Sequence, residues 1–239
     1  ECRVMGVPKT IDNDLFGTDH CPGYASAAKY IATSIMEVYQ DAHVYDKGMI
    51  VVVEIMGRHA GWLTAASALA CEYGAGPDLI YLPETDFSMP RFIEDVKRVY
   101  NEMGNCIVAV SEGIHYENGD FVSEAKVAAN DGFGHAQLGG LATILAEVLK
   151  EETGAKVRGI ELNLLQRCAA YAARVAQAVS VHEVAYGLRR LCKGDKRLPY
   201  PAVLRDGLPH RLPACHGRQR EHQQHTEYPF FHSSFVFPS

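Results

Sequence analysis

Asp12 and Asp14 stand two residues apart in the polar stretch Pro8-Lys9-Thr10-Ile11-Asp12-Asn13-Asp14, beside one ammonium group and one hydroxyl. Such a set can handle phosphate. One carboxylate can take the proton of an attacking hydroxyl and the other can hold a magnesium ion, while Lys9 neutralises charge on a transferring phosphoryl group. The competing reading is structural, because Asp and Asn side chains bond to nearby backbone amides in turns and at helix starts. The stretch by itself leaves both open.

Further candidates lie where predicted strands end. In Glu54-Ile55-Met56-Gly57-Arg58-His59-Ala60-Gly61 an apolar run stops and sets Gly57 and Arg58 where a helix begins. Helix N-terminal amides and a guanidinium together hold phosphate well. The alternative is that Gly57 only turns the chain, Arg58 lies in solvent and His59 is a hydrogen-bonded spectator. Glu112, in Ser111-Glu112-Gly113 after the next buried run, can accept a sugar hydroxyl or cap the segment that follows. Arg158 lies just inside the last predicted strand and Arg167 lies beyond it. Three arginines exceed the needs of a neutral ligand, so a phosphorylated substrate is the economical reading.

These residues need a scaffold, and the hydrophobic pattern supplies one. Tyr24, Ala27, Ala28, Ile31, Ile35 and Val38 recur at helical spacing and predict a helix over 23–42. The β-branched run from Met49 to Ile55 reads as a parallel strand buried on both faces. The alternation then repeats: a helix over 60–73, a strand over 79–82, a helix over 90–103 with Pro near its start, a strand over 106–110, a helix over 135–152 closed by Gly154, and a strand over 156–162. Strand and helix in alternation imply right-handed crossovers and an α/β fold, a parallel sheet flanked by helices in three layers. Ligands of such sheets sit beyond the carboxyl ends of the strands.

Composition bounds the rest. The 239 residues are 47% hydrophobic and 22% charged, an ordinary globular balance. Seven cysteines without a C-x-x-C pair argue against a zinc site or a disulfide framework and read as reduced, mostly buried thiols. No charged segment followed by an apolar run resembles a signal peptide or a membrane span, and a soluble, cytoplasmic setting is expected. Charge is uneven: residues 186–239 hold nine Lys or Arg against four Asp or Glu, a balance of +5 that leaves −11 for residues 1–185 out of the total of −6. The same stretch holds six of the eleven prolines and five of the eleven histidines, which breaks any regular period. It reads as an irregular, solvated tail after a domain spanning 1–185, and it carries no nucleic-acid-binding motif.

From about Gly6 to Ala170 the chain resembles the phosphofructokinase family. The resemblance rests on Pro-Lys-Thr-Ile-Asp-Asn-Asp at 8–14, Met-Gly-Arg at 56–58, Glu-Gly at 112–113 and Gln-Arg at 166–167, which follow the family's order and approximate spacing. It implies phosphoryl transfer to the 1-hydroxyl of fructose 6-phosphate with Mg2+. Asp12 would be the general base, Asp14 would serve the metal and transition-state charge, and Thr10 would help position the phosphoryl group. Met56, Gly57, Arg58, Glu112 and Arg167 would line the sugar-phosphate pocket. Arg158 would reach the 6-phosphate in a neighbouring subunit, so the active site would be completed in a homo-oligomer. Lys9 resembles the lysine of the pyrophosphate-dependent members, whose compact donor gains from a local cation; ATP is the alternative donor.

Two departures accompany the resemblance. The family's histidine before Gln-Arg is replaced within Asn163-Leu164-Leu165, and its second cross-subunit arginine is not evident near Met49, where Lys47 is the nearest cation. The donor's Gly-rich loops are expected before Glu1, and the loss of helical pattern after about Arg174 has the character of a shifted reading frame. The chain by itself is therefore expected to be inactive. Two other classes remain: a non-catalytic sugar-phosphate-binding fragment, and a metal-dependent glycosyltransferase with an Asp-x-Asp loop.

Overall fold

The computed structural model describes residue 6 and residues 10–45, 48–123 and 140–169. Four parallel strands form one sheet in the order β2-β3-β1-β4: β1 Ile50–Ile55, β2 Leu79–Tyr81, β3 Cys106–Ser111 and β4 Val157–Glu161. Central β1 and β3 are buried throughout, the state their largely apolar runs demand. β1 pairs with β3 from Ile50 opposite Cys106 to Ile55 opposite Ser111, and with β4 from Ile50 opposite Val157 to Glu54 opposite Glu161.

Side-chain alternation along the strands divides the core. Val51, Val53, Ile55, Ile107 and Ala109 face one layer, made by α1 (Tyr24–Ala42) and α2 (Trp62–Ala66) with the helical turn after it. Ile50, Val52, Val108 and Val110 face the other, made by α3 (Met89–Met103) and α4 (Leu141–Thr153). These are the expected three layers. The small residues Ala65, Ala66, Ala68 and Ala70 let the α2 segment lie close against α1.

Boundaries differ in three places. The helix expected over 60–73 is α-helical only at Trp62–Ala66 and tightens into a 3-10 helix over Ser67–Tyr73. There the Ser67 hydroxyl donates to the Thr64 carbonyl at 2.5 Å and competes for an acceptor of the α pattern. The helix expected from 135 begins at Leu141 after Gly140 at φ 76, with 135–139 outside the described residues, and ends as expected at Gly154, φ 64. A short helix, α5 (Leu165–Cys168), follows β4 where none was expected. Of the cysteines, Cys21, Cys71 and Cys106 are buried free thiols and Cys168 is exposed. No described helix is long and apolar enough to cross a membrane. The tail over 186–239 lies outside the described residues.

Candidate active site

At the carboxyl end of the sheet, side chains tie three strand ends together. The Met56 amide donates to Gln166 Oε1 at 3.1 Å and the next amide, Gly57, donates to Glu112 Oε1 at 3.2 Å. The Ser111 hydroxyl donates to the Gly57 carbonyl at 2.5 Å. The turn after β1 is thus gripped by residues that follow β3 and β4. Two glycines make the close approach possible. Gly57 has φ 132, and a Cβ there would sit 2.6 Å from the Ala60 carbonyl oxygen; a Cβ on Gly113 would run into the Arg58 carbonyl.

Arg58 leaves this turn half-buried, and its Nε is buried with no hydrogen-bond partner among the described residues. A buried guanidinium N–H left unpaired is costly, and it is a ready donor to an anion. Glu112, half-buried, commits one carboxylate oxygen to the Gly57 amide, so its second oxygen remains for another donor. Arg167 is exposed on α5, one residue beyond the buried Gln166.

The acidic loop reaches the same end of the sheet. Ile11 packs against the apolar cluster beneath α1 and α2, and so does Met56. Tyr24, the first residue of α1, donates its hydroxyl at 3.3 Å to the carbonyl of Trp62, the first residue of α2 and four positions after Arg58. Within the loop, Asn13 is 6% exposed and adopts φ 57. Its Oδ1 accepts the Cys21 amide at 2.8 Å and its Nδ2 donates to the Asp19 carbonyl at 3.4 Å. Ile11 and Asn13 point inward, whereas Asp12 is half-buried and Asp14 exposed. The Thr10 hydroxyl, placed beside them, accepts the Asp12 amide at 3.1 Å. His59 is exposed, near Phe121. Lys9 and Lys47 lie outside the described residues.

Arg158 is not brought to this end. It lies opposite Val51 in the register, and its exposed side chain leaves an edge strand. Val51 precedes Gly57 by six residues, about 20 Å of strand, well beyond the reach of one arginine side chain.

Among the buried polar residues not singled out from the sequence, three hold turns or helix ends near the site. Asn13 and Gln166 are two, and Glu54 is the third. Glu54, 7% exposed within β1, accepts the Ala142 amide through Oε2 at 2.8 Å and so serves as the cap that α4 lacks at Gly140. Burial pushes its carboxyl up to about 7, with the charges of Glu161 and Glu112 adding to the rise and the Ala142 and Leu141 amides opposing it. A carboxylate inside a β-branched run was the available signal, since a strand buried on both faces must give it a partner.

Comparison with known proteins points to one family. A family model described as phosphofructokinase matches residues 1–193. The pyrophosphate–fructose 6-phosphate 1-phosphotransferase of Xanthomonas campestris pv. campestris is 46% identical over 198 residues, covering 78% of this chain and 46% of that protein. The protein of the same name from Rhodospirillum rubrum is 48% identical over 172 residues, covering 69% of this chain and 42% of that one. The crystal structure of a pyrophosphate-dependent phosphofructokinase from Nitrosospira multiformis superposes with a TM-score of 0.55 at 36% identity, over 76% of this chain and 42% of that chain. This chain spans about half the length of the curated relatives it matches.

Proposed function

The chain belongs to the phosphofructokinase family, and on that premise we propose that it carries the acceptor side of phosphoryl transfer from pyrophosphate to fructose 6-phosphate, a cytoplasmic step of glycolysis. The observation that carries this reading is the turn Met56-Gly57-Arg58, gripped by Glu112 and Gln166, with an open buried donor on Arg58. Arg58 and Arg167 receive the sugar phosphate, and the second oxygen of Glu112 takes a sugar hydroxyl. Met56 and Gly57 form the wall.

In the transfer, Asp12 accepts the proton of the 1-hydroxyl as its oxygen attacks the phosphorus of the donor. A new P–O bond forms, the bridging P–O bond breaks, and the departing phosphate carries away the electron pair, giving fructose 1,6-bisphosphate and inorganic phosphate. Thr10 and Lys9 position and neutralise the transferring group. The donor set suits magnesium, which takes one or two carboxylates and leaves its other positions to water and substrate phosphates. Exposed Asp14 would provide one such carboxylate. When bound, the ion supplies charge neutralisation to the phosphates. Pyrophosphate is favoured as donor by the names of the relatives and by Lys9.

Arg158, at the far end of β4, serves the site of a second copy, which makes a homo-oligomer the working form. Acceptor binding through Arg58 and Glu112 is the part of this reading that the 239-residue chain tests by itself. Titration calorimetry of the 239-residue chain tests the proposal. Saturable binding of fructose 6-phosphate, no heat with fructose, and at least tenfold weaker binding in Arg58→Ala and Arg167→Ala are expected. Equal affinities for fructose and fructose 6-phosphate refute it.

A further inference from the structure

The amide of Gln166 is the longest-range tie in the site. It is 3% exposed, and both ends of its side chain are occupied. Oε1 accepts the Met56 amide at 3.1 Å across 110 positions of sequence, and Nε2 donates to the Asn163 carbonyl at 3.1 Å. Asn163 holds φ 42, a left-handed backbone that turns the chain from β4 into α5. One primary amide thus fixes the turn bearing Arg58 and the turn leading to Arg167.

We infer that Gln166 is a positioning residue for the sugar phosphate, setting Arg58 against Arg167 without touching the ligand; this rests on the acceptor site proposed above. The Met56 amide lies two residues before Arg58, and the Gln166 backbone is bonded in sequence to Arg167. Lengthening either hydrogen bond therefore shifts one arginine relative to the other. Two guanidinium groups gripping one phosphate depend on that spacing, because charge-assisted, bidentate contacts are geometrically strict.

The substitution Gln166→Met keeps the volume and removes both hydrogen bonds. Gln166→Glu keeps an acceptor, and only its protonated form also donates to the Asn163 carbonyl. In the 239-residue chain, amide exchange followed by NMR should accelerate at least tenfold at Met56 in Gln166→Met, with β3 amides unchanged, and calorimetry should show fructose 6-phosphate bound at least tenfold more weakly. Gln166→Glu should recover affinity relative to the unsubstituted chain as pH falls from 8 to 6, a rescue that simple packing would not produce. Unchanged Met56 exchange overturns the inference. So does faster exchange with fructose 6-phosphate affinity within twofold of the unsubstituted chain, or a Gln166→Glu deficit that is the same at both pH values. An unsubstituted chain that binds no fructose 6-phosphate sinks the acceptor site itself and this inference with it, an outcome told apart because no variant is needed to see it.

Discussion

Replacing Glu54 with Gln should flatten the pH dependence of stability between pH 5 and 8. The carboxyl moves from an ordinary 4.5 to about 7 on folding, chiefly through burial in β1, with Glu161 and Glu112 adding repulsion and the α4 amides giving only partial relief. The folded state then holds the proton more tightly than the unfolded chain. The stabilisation this provides is complete below about pH 4.5 and is lost as pH rises through about 7. At 1.36 kcal/mol per unit the loss is about 3 kcal/mol, a large fraction of a typical domain stability. A glutamine keeps an acceptor for the Ala142 amide but cannot ionise, and it gives up a second acceptor near Leu141 at a cost of about 1 kcal/mol. The variant should therefore be more stable than the parent by about 2 kcal/mol at pH 8 and within about 1 kcal/mol of it at pH 5. Urea unfolding followed by Trp62, the single tryptophan and 7% exposed, reads this directly at four pH values, with a constant m-value as the check on the unfolded state. Two stability curves running parallel from pH 5 to 8 would show that Glu54 titrates alike in both states, and the buried-cap account would fail.

Asn13→Ala should lose about 2 to 4 kcal/mol in urea unfolding, from the unpaired Cys21 amide and the left-handed backbone at φ 57, while Asn13→Gly should recover about 1 kcal/mol of that. Equal losses in the two variants would remove the backbone part of the argument. Gly113→Ala should cost more than about 3 kcal/mol or yield no folded chain, because its methyl meets the Arg58 carbonyl; Gly140→Ala, with φ 76 but no atom of the described residues within 4 Å of its Cβ position, should cost only about 1 to 2 kcal/mol. Similar losses at the two glycines would contradict the interlocked turns.

The layers of the fold were readable because both periods in the sequence were forced by burial. Met49 to Ile55 has no polar alternation, and only a strand covered on both faces tolerates that; the observed β1 is central and covered on both. Gly154 stopped α4 where expected because a left-handed C-cap is a local event. The break of α2 into a 3-10 helix was not readable. Ser67 in an alanine-rich segment is compatible with a continuous helix, and its bond to the Thr64 carbonyl depends on the chain having already tightened there. The start of α4 at Leu141 was hidden for a related reason: its cap is Glu54, from a strand 88 positions earlier, and no local signal announces it.

The site was legible in its charges and not in its fastenings. Arg58 and Glu112 could be placed because strand ends in a parallel sheet converge, so knowing where each apolar run stops is enough to put both residues at one end. That rule also misleads when a residue is near a strand but at its start, and Arg158 is such a case: it counted among three arginines yet stands at the opposite end from Gly57. Asn13 and Gln166 belong to a different kind of information. Each is a polar side chain whose burial makes sense only with a specified backbone partner, the Cys21 amide for one and the Met56 amide for the other. A sequence shows that an amide side chain is present. It does not show which peptide group lies opposite, since for Gln166 that group follows the neighbouring strand β1, 110 positions earlier. The residues that accept or donate to a ligand are recognisable by type, whereas those that hold them in place become recognisable only when the fold closes.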